Sequence, residues 1–208
     1  MAGFLAGDDL SPNRIELARR QAALGPGYID LTSSNPTHNG LLFPPEVLRA
    51  AADRYWSSRR YDPDPRGLRA AREAIARYYA GRIPPLPLDP DDVFVTASTS
   101  EAYSLLFALL ADPGDNVLAP AVSYPLFDYL AAAHHVELRP YALDEARGWR
   151  IDPASLRLQA DDRTRAVLVI SPHNPTGAVV RSQLPSLAAL GLPVICDEVF
   201  AEFPYGAP

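Results

Sequence analysis

The chain has 208 residues, and its shares of 48% hydrophobic and 21% charged residues are those of a soluble globular protein. The 19 basic and 25 acidic residues give a net charge of −6, which argues against a nucleic-acid partner because phosphates require a basic surface. No apolar run reaches the roughly 18 residues of a membrane span. The first residues show no signal-peptide pattern, so we expect a cytoplasmic protein with no membrane partner.

Two residue types narrow the chemistry further. Cys196 is the single cysteine, which excludes a disulfide framework and a site of several cysteines around a metal. All 19 basic residues are arginine, and the sequence contains no lysine. A Walker A phosphate loop and a lysine Schiff base both need that side chain, so this chain alone forms neither.

The sequence of the first 92 residues predicts helices joined by loops. We expect an arm up to about residue 27 with a short helix near 13–24, a loop over 31–45, and helices over 46–56 and 66–79. In the last helix one face is predicted to be apolar, and a second face carries charges four residues apart, which favours ion pairs. The apolar set is Leu68, Ala71, Ile75 and Tyr78; the charged set is Arg69, Glu73 and Arg77.

After residue 92 short apolar runs alternate with helical segments. Strands are predicted over 93–96, 116–119, 136–141, 166–170 and 193–196. Residues 101–110 (EAYSLLFALL) are apolar nearly all round, as in a helix packed deeply on a sheet, and Asp152 is a predicted N-cap followed by proline. The alternation indicates an α/β fold with a mostly parallel, doubly wound sheet, whose ligands bind beyond the carboxyl ends of the strands.

The predicted strand 93–96 runs into Ser98, Thr99 and Ser100 at the start of a helix. Hydroxyls and free N–H groups at a helix N-terminus form an anion site suited to phosphate. Ser98 with Glu101 three residues later also fits a capping box. From these residues alone capping is the simpler interpretation.

Three more residues follow predicted strands. Tyr124 has a ring that can cover a flat ligand, although a loop aromatic more often packs. Asn174 lies in a segment, SPHNPTG, whose composition also suits an ordinary tight turn. Asp197 ends the last strand, where a buried carboxylate needs a partner such as a ring N–H cation, although a surface aspartate is the simpler interpretation.

Taken together, these segments resemble the class I/II aminotransferases, which are pyridoxal-phosphate enzymes of fold type I. The resemblance covers nearly the whole chain, and its specificity lies in the order and spacing of motifs that are weak singly. The matching segments are 31–36 (LTSSNP), Tyr61, 66–69 (RGLR), 98–101 (STSE), 115–125, 174–177 (NPTG) and 197–200 (DEVF).

The resemblance implies a role for each matching position. Ser98, Thr99 and Ser100 match the turn that holds the cofactor phosphate, and Tyr124 matches the aromatic residue stacked on the ring. Asn174 matches the donor to the ring oxygen O3′, and Asp197 matches the carboxylate that keeps the pyridine nitrogen protonated. Tyr61 matches a residue that reaches the neighbouring subunit's phosphate in a homodimer. Ser34 and Asn35 match, more loosely, a segment closing over the substrate.

The resemblance also implies what these residues lack. Phe200 stands where many relatives have a tyrosine that also bonds O3′. The Schiff-base lysine and the arginine for the substrate carboxylate lie beyond residue 208 in the family. We therefore expect residues 1–45 to form an arm and substrate loop, residues 46–208 to form a partial large domain with its sheet incomplete at the C-terminus, and the small domain to be absent.

We therefore predict a pyridoxal-phosphate-dependent aminotransferase that moves an amino group between an amino acid and a 2-oxo acid. This chain is expected to be its N-terminal portion, to be inactive alone and to bind no metal. The alternative is a non-catalytic partner that retains cofactor binding or the dimer surface. No G-x-G-x-x-G follows the first strand, which weakens a dinucleotide-dependent oxidoreductase, and no G-x-S-x-G indicates a serine hydrolase. His134 and His135 are adjacent without a third ligand, which favours packing over metal binding.

Overall fold

A computed structural model describes residues 9, 11–29 and 35–203 of the chain. The chain forms two structural units, Met1–Pro63 and Asp64–Pro208. The expected boundary between the arm (residues 1–45) and the partial large domain (residues 46–208) stays a prediction.

The first unit contains two of the predicted helices and, among its described residues, no buried side chain. Helix α1 (Arg14–Ala23) begins where the Asn13 side chain accepts the Glu16 N–H at 2.9 Å. Glu16 also accepts from Arg19 and Arg20, each at 2.7 Å, and these hydrogen bonds lower its pKa to about 2. Helix α2 (Pro45–Ser58) has a proline in its first turn, where no N–H is needed.

The second unit is built on a parallel four-stranded sheet, and this part of the sequence prediction is confirmed. Six strands are described: β1 (Asn116–Pro120), β2 (Glu137–Tyr141), β3 (Leu143–Asp144), β4 (Arg150–Ile151), β5 (Thr164–Ile170) and β6 (Val194–Asp197). The order in the sheet is β2-β1-β5-β6, with every neighbouring pair parallel. Strands β3 and β4 form a separate antiparallel hairpin, which the sequence analysis did not predict.

Helices cover both faces of this sheet. Helices α4 (Thr99–Leu110) and α5 (Leu126–Ala133) cover one face, and α6 (Pro153–Gln159) and α7 (Leu184–Ala188) cover the other. Helix α3 (Arg69–Ala80) packs instead against the turn Pro90–Asp92. The predicted cap of α6 is confirmed, because Asp152 accepts the Ala154 N–H at 2.9 Å. Helices α5 and α7 were not predicted, since eight and five residues are too few to show a clear period.

Alternate residues of the central strands supply two separate cores. On one face Val117 and Leu168 pack with Tyr103 and Phe107 of α4. On the other face Leu118 packs with side chains of β5, α6 and α7, including Val167, Leu156 and Leu187. Burial on both faces explains why these strands are apolar without alternation, as parallel strands between helical layers require.

The predicted strand over residues 93–96 is wrong. The segment is not a strand and pairs with no strand among the described residues. Its Val95 N–H donates instead to the Arg66 carbonyl at 2.9 Å, and the Phe94 side chain is 64% exposed. An apolar β-rich sequence becomes a strand only where a neighbour supplies ladder hydrogen bonds.

Two predicted helix faces also need correction. In α4, Tyr103 and Phe107 are buried, whereas Leu109 is 77% exposed because no described residue covers that side of the helix. The faces of α3 differ as well: its buried residues are Arg72 and Ala76, while Leu68 and Tyr78 of the predicted apolar face are exposed. The predicted ion pair between Arg69 and Glu73 is present at 2.9 Å.

The turn before α3 requires glycine at position 67. Gly67 has φ +91°, in the left-handed region, and a Cβ atom there would lie 2.6 Å from the Val95 Cβ. Both the backbone and the close approach therefore oppose any side chain.

We expect Gly67→Ala to lower the free energy of unfolding by about 2–3 kcal/mol, since it combines an unfavourable φ with a backbone-proximal clash. Urea denaturation followed by circular dichroism measures the change. Gly81→Ala is the matched control, because Gly81 has φ −85° and its nearest Cβ contact would be 3.5 Å. Equal stability changes in the two variants would contradict the expectation.

Candidate functional site

The carboxyl ends of three adjacent strands bring together the residues predicted to bind a ligand. Asp197 is the last residue of β6, and its register partner in β5 is Ile170. Asn174 follows Ile170 by four positions, and Tyr124 follows the end of β1 by the same number. Because β1, β5 and β6 are neighbours and parallel, all three residues leave the same edge of the sheet.

The turn before α4 forms the predicted helix cap. The Ser98 Oγ accepts the Glu101 N–H at 3.2 Å, and the Glu101 carboxylate accepts the Ala97 N–H at 2.5 Å. The capping interpretation is thus confirmed. The same turn can also hold an anion, because the N–H groups of Thr99 and Ser100 lie in the first turn, where an α-helix offers no carbonyl partner.

Asp197 has two hydrogen-bond donors in the structure. The Tyr103 hydroxyl donates to Oδ2 at 2.5 Å, and the Val199 N–H donates to Oδ1 at 2.9 Å. Tyr103 is buried, and this burial together with the bond to Asp197 raises the pKa of its hydroxyl, so the phenol stays protonated. The carboxylate is half-buried and oriented by both neighbours.

Aromatic contacts connect Tyr124 to this pair. The Tyr124 and Phe127 rings meet edge to face with centroids 5.8 Å apart, and Phe127 lies 4.6 Å from the Tyr103 ring. Tyr124 itself is 52% exposed, so part of its ring is accessible to a ligand. Phe127 therefore packs on both Tyr124 and the tyrosine bonded to Asp197.

A buried histidine joins the loops that carry Tyr124 and Asn174. The His173 Nε2 lies 2.8 Å from the Val122 carbonyl oxygen, and its Nδ1 lies 2.8 Å from the Thr176 hydroxyl. Since a carbonyl only accepts, Nε2 carries the proton in the neutral ring. Burial lowers the pKa of His173, which favours this neutral form. Asn174 is exposed on the surface of the joined loops.

The remaining predicted residues belong to the first unit or lie outside the described residues. Ser34 is outside them. The Asn35 side chain accepts both the N–H and the hydroxyl of Thr37, at 2.9 and 2.7 Å, so it stabilises a local turn. Tyr61 is exposed. Their assignments to substrate and to the neighbouring subunit's phosphate stay predictions.

A cleft of about 560 Å³ reaches part of the site. It includes Thr99, Tyr103 and Asp197, but Tyr124 and Asn174 are not among its described lining residues. Its other walls are mostly apolar: Leu86, Leu88, Leu106, Ile195 and Val199. A phosphate needs hydrogen-bond donors, and apolar side chains offer none. The cleft as a whole therefore does not fix where a phosphate would bind.

The described part of the chain has neither a metal-binding cluster nor a membrane-spanning helix. Within residues 9, 11–29 and 35–203, no three His, Cys, Asp or Glu side chains are grouped so as to hold a metal. His134 and His135 therefore form no metal site with described neighbours. None of the helices described has the length and apolar character needed to cross a membrane.

Sequence reasoning missed Tyr103 and His173 as parts of this site. Tyr103 carries the only phenol in the apolar segment 101–110, and a buried phenol requires an acceptor, so a partner was predictable although its identity was not. His173 lies within the predicted turn segment SPHNPTG, but its bond to Val122 joins residues 51 positions apart. Only the folded chain reveals such pairs.

Comparison with known proteins supplies the family. The model of the family "Aminotransferase class I and II" matches residues 26–208. The chain belongs to this aminotransferase family. It is 34% identical over 190 residues to a probable aminotransferase of Arabidopsis thaliana, covering 88% of this chain and 46% of that protein. It is 33% identical to human tyrosine aminotransferase, over 84% of this chain and 39% of the relative.

Solved structures agree with this family assignment. An aspartate aminotransferase from Thermus thermophilus superposes with a TM-score of 0.78 at 27% identity, covering 95% of this chain and 53% of that one. An aminotransferase from Escherichia coli gives 0.75 at 26% identity, with 96% and 50% covered. The chain therefore has the large-domain α/β architecture of fold type I aminotransferases, and it spans about half the length of these relatives.

Proposed function

We propose that this chain provides the cofactor-binding face of a pyridoxal-phosphate-dependent aminotransferase, which moves an amino group between an amino acid and a 2-oxo acid. The observation that carries the proposal is the Asp197 carboxylate, oriented by Tyr103 and Val199 at the carboxyl edge of the sheet. A carboxylate held at this point in an aminotransferase fold suits the protonated nitrogen of a pyridine ring.

The chemistry of the residues present fits pyridoxal phosphate. The first turn of α4 offers hydroxyls and N–H groups of Ser98, Thr99 and Ser100 to a phosphate. Tyr124 has an accessible ring face for stacking, and Asn174 offers an exposed amide donor for the ring oxygen. The helix turn suits the phosphate, and the aromatic side chain suits the face of the ring. The amide suits the ring oxygen, and the carboxylate suits the ring nitrogen.

Each residue has a task that follows from its chemistry. When bound, pyridoxal phosphate supplies an electron sink for the substrate. Asp197 holds the proton on the ring nitrogen, because a nearby anion favours the cationic form. Asn174 donates to O3′, and Tyr124 covers one ring face and excludes water from it. The chain has no lysine, so the Schiff-base amine comes from outside these 208 residues.

Several finer features belong to the same proposal. A homodimer, with Tyr61 reaching the neighbouring subunit's phosphate, follows from the family resemblance, as do the roles of Ser34 and Asn35. The relatives include proteins named for tyrosine, alanine and aspartate. These names differ in the amino acid and share the transfer of an amino group.

A non-catalytic partner is the second candidate, and the absence of lysine favours it. Such a protein retains the cofactor-binding face or the dimer surface without performing transfer. The two candidates differ in one observable way. A lysine-bearing polypeptide that associates with this chain restores transamination only in the first.

Cofactor binding by the 208-residue chain tests the proposal. We expect saturable binding of pyridoxal phosphate in equilibrium dialysis, and we expect Asp197→Asn to weaken it by about tenfold or more, since an ion pair with the ring nitrogen is lost. The Asn amide oxygen can accept from the Val199 N–H while its NH2 donates to the Tyr103 hydroxyl, which also accepts, so both local contacts are kept. The control is Asp92→Asn, which changes an exposed carboxylate in the turn before residue 93. Equal affinities for all three proteins would contradict the proposed site.

A further inference from the structure

The Tyr103 hydroxyl makes the most distinctive polar contact on the buried side of α4. Tyr103 is 5% exposed and lies four positions after Thr99, which places it one helical turn inside the helix. Its ring packs on Phe107 and Phe127, with centroids 6.1 and 4.6 Å away. The hydroxyl leaves this apolar environment to reach Asp197, 94 residues later in the chain.

The contact fixes one oxygen of the carboxylate relative to α4. Oδ2 accepts from the Tyr103 hydroxyl, while Oδ1 accepts from the Val199 N–H that follows β6. A carboxylate has about four acceptor positions, so both oxygens retain capacity for a further donor. The side chain is thus held in one orientation and still able to receive a ring N–H.

We propose that Tyr103 is a positioning residue for Asp197. By holding this carboxylate, Tyr103 sets the distance between the group that contacts the ring nitrogen and the helix turn that contacts the cofactor phosphate. The inference rests on the proposed function. The same helix determines both contacts. The first turn of α4 offers the phosphate donors, and Tyr103 in its next turn holds the carboxylate. Preorganised geometry of this kind lowers the cost of binding.

A second buried tyrosine shows what a purely structural hydroxyl does in this fold. The Tyr141 hydroxyl donates to the Leu168 carbonyl oxygen at 2.9 Å, and the ring is as deeply buried as that of Tyr103. Its acceptor is a neutral backbone group. Tyr103 instead orients an ionised side chain through a charge-assisted bond, which is stronger and directional. Tyr141 is therefore a matched control for the loss of a buried phenol.

The test compares two ligands in equilibrium dialysis with the 208-residue chain. One is pyridoxal phosphate, and the other is its analogue with carbon in place of the ring nitrogen. We expect Tyr103→Phe to weaken pyridoxal phosphate by about tenfold and the analogue by less than about twofold, because only the first ligand uses Asp197. Tyr141→Phe leaves the preference between the ligands unchanged. Combining Tyr103→Phe with Asp197→Asn weakens binding no further than Asp197→Asn alone.

Each other outcome has a distinct meaning. Equal loss of both ligands in Tyr103→Phe gives Tyr103 a structural role and overturns the inference, as does unchanged affinity for both. Additive losses in the double variant also overturn it, since independent residues do not act through one another. If the unmodified chain binds neither ligand, the proposed function itself fails. The inference alone fails when the unmodified chain binds but Tyr103→Phe shows no ligand preference.

Discussion

The 208-residue chain, mixed with pyridoxal phosphate, an amino acid and a 2-oxo acid, is expected to transaminate no faster than the cofactor does alone. It has no lysine to form an imine with the cofactor aldehyde or to move the proton from the substrate α-carbon. Loss of a general base alone costs about 10²–10⁴ in rate, and loss of the covalent route adds to this. The measurement is 2-oxo acid formation by protein free of other aminotransferases.

Borohydride reduction provides a second measurement on the same mixture. Peptide mapping should find no reduced adduct on any side chain, and at most one on the α-amino group of the chain. A lysine-containing aminotransferase of the family is the positive control for trapping and for turnover. Turnover well above the cofactor background by the verified chain would show that it carries its own catalytic amine or base, contrary to the proposed function.

The second large effect concerns Arg72, a buried cation in the second unit. Arg72 donates to the Gly67 and Pro90 carbonyls at 3.0 and 2.8 Å, and to Asp64 and Asp91 at 2.8 and 3.0 Å. We expect Arg72→Met to lower the free energy of unfolding by about 2–4 kcal/mol. This range is lower than the roughly 3–5 kcal/mol lost when a fully buried pair is broken, because both aspartates retain contact with water.

Urea denaturation of Arg72→Met and Arg69→Met gives the matched comparison. Arg69 also bonds Asp91, at 2.5 Å, and pairs with Glu73, but its side chain is half exposed. We expect Arg69→Met to change the free energy of unfolding far less than Arg72→Met does, because exposed ion pairs contribute little to stability. A loss for Arg72→Met no larger than that for Arg69→Met would contradict the assigned importance of burial.

Local sequence patterns predicted the elements that local interactions determine. The apolar runs of β1 and β5 read as strands because both of their faces are buried, and Ser98 and Asp152 read as caps because capping involves neighbours in sequence. The placement of Asp197 and Asn174 on adjacent loops followed from the parallel sheet. These inferences needed only spacing and residue type.

Contacts between distant residues were not predictable in the same way. Arg72 was assigned to no role, yet it is buried because carbonyls and carboxylates from two separate turns surround it. Residues 93–96 have the composition of a strand but no strand partner among the described residues. In both cases the decisive factor is which groups lie nearby in space, and residue composition does not specify that.

The most direct test of the proposed site is a crystal structure of the 208-residue chain with pyridoxal phosphate bound. The prediction places the phosphate about 3 Å from donors of Ser98, Thr99 and Ser100, and the ring nitrogen about 3 Å from an Asp197 oxygen. The ring should lie against Tyr124, with Asn174 donating to O3′. Cofactor bound elsewhere, or a phosphate away from the first turn of α4 with Asp197 still bonded only to Tyr103 and Val199, would contradict the assignment.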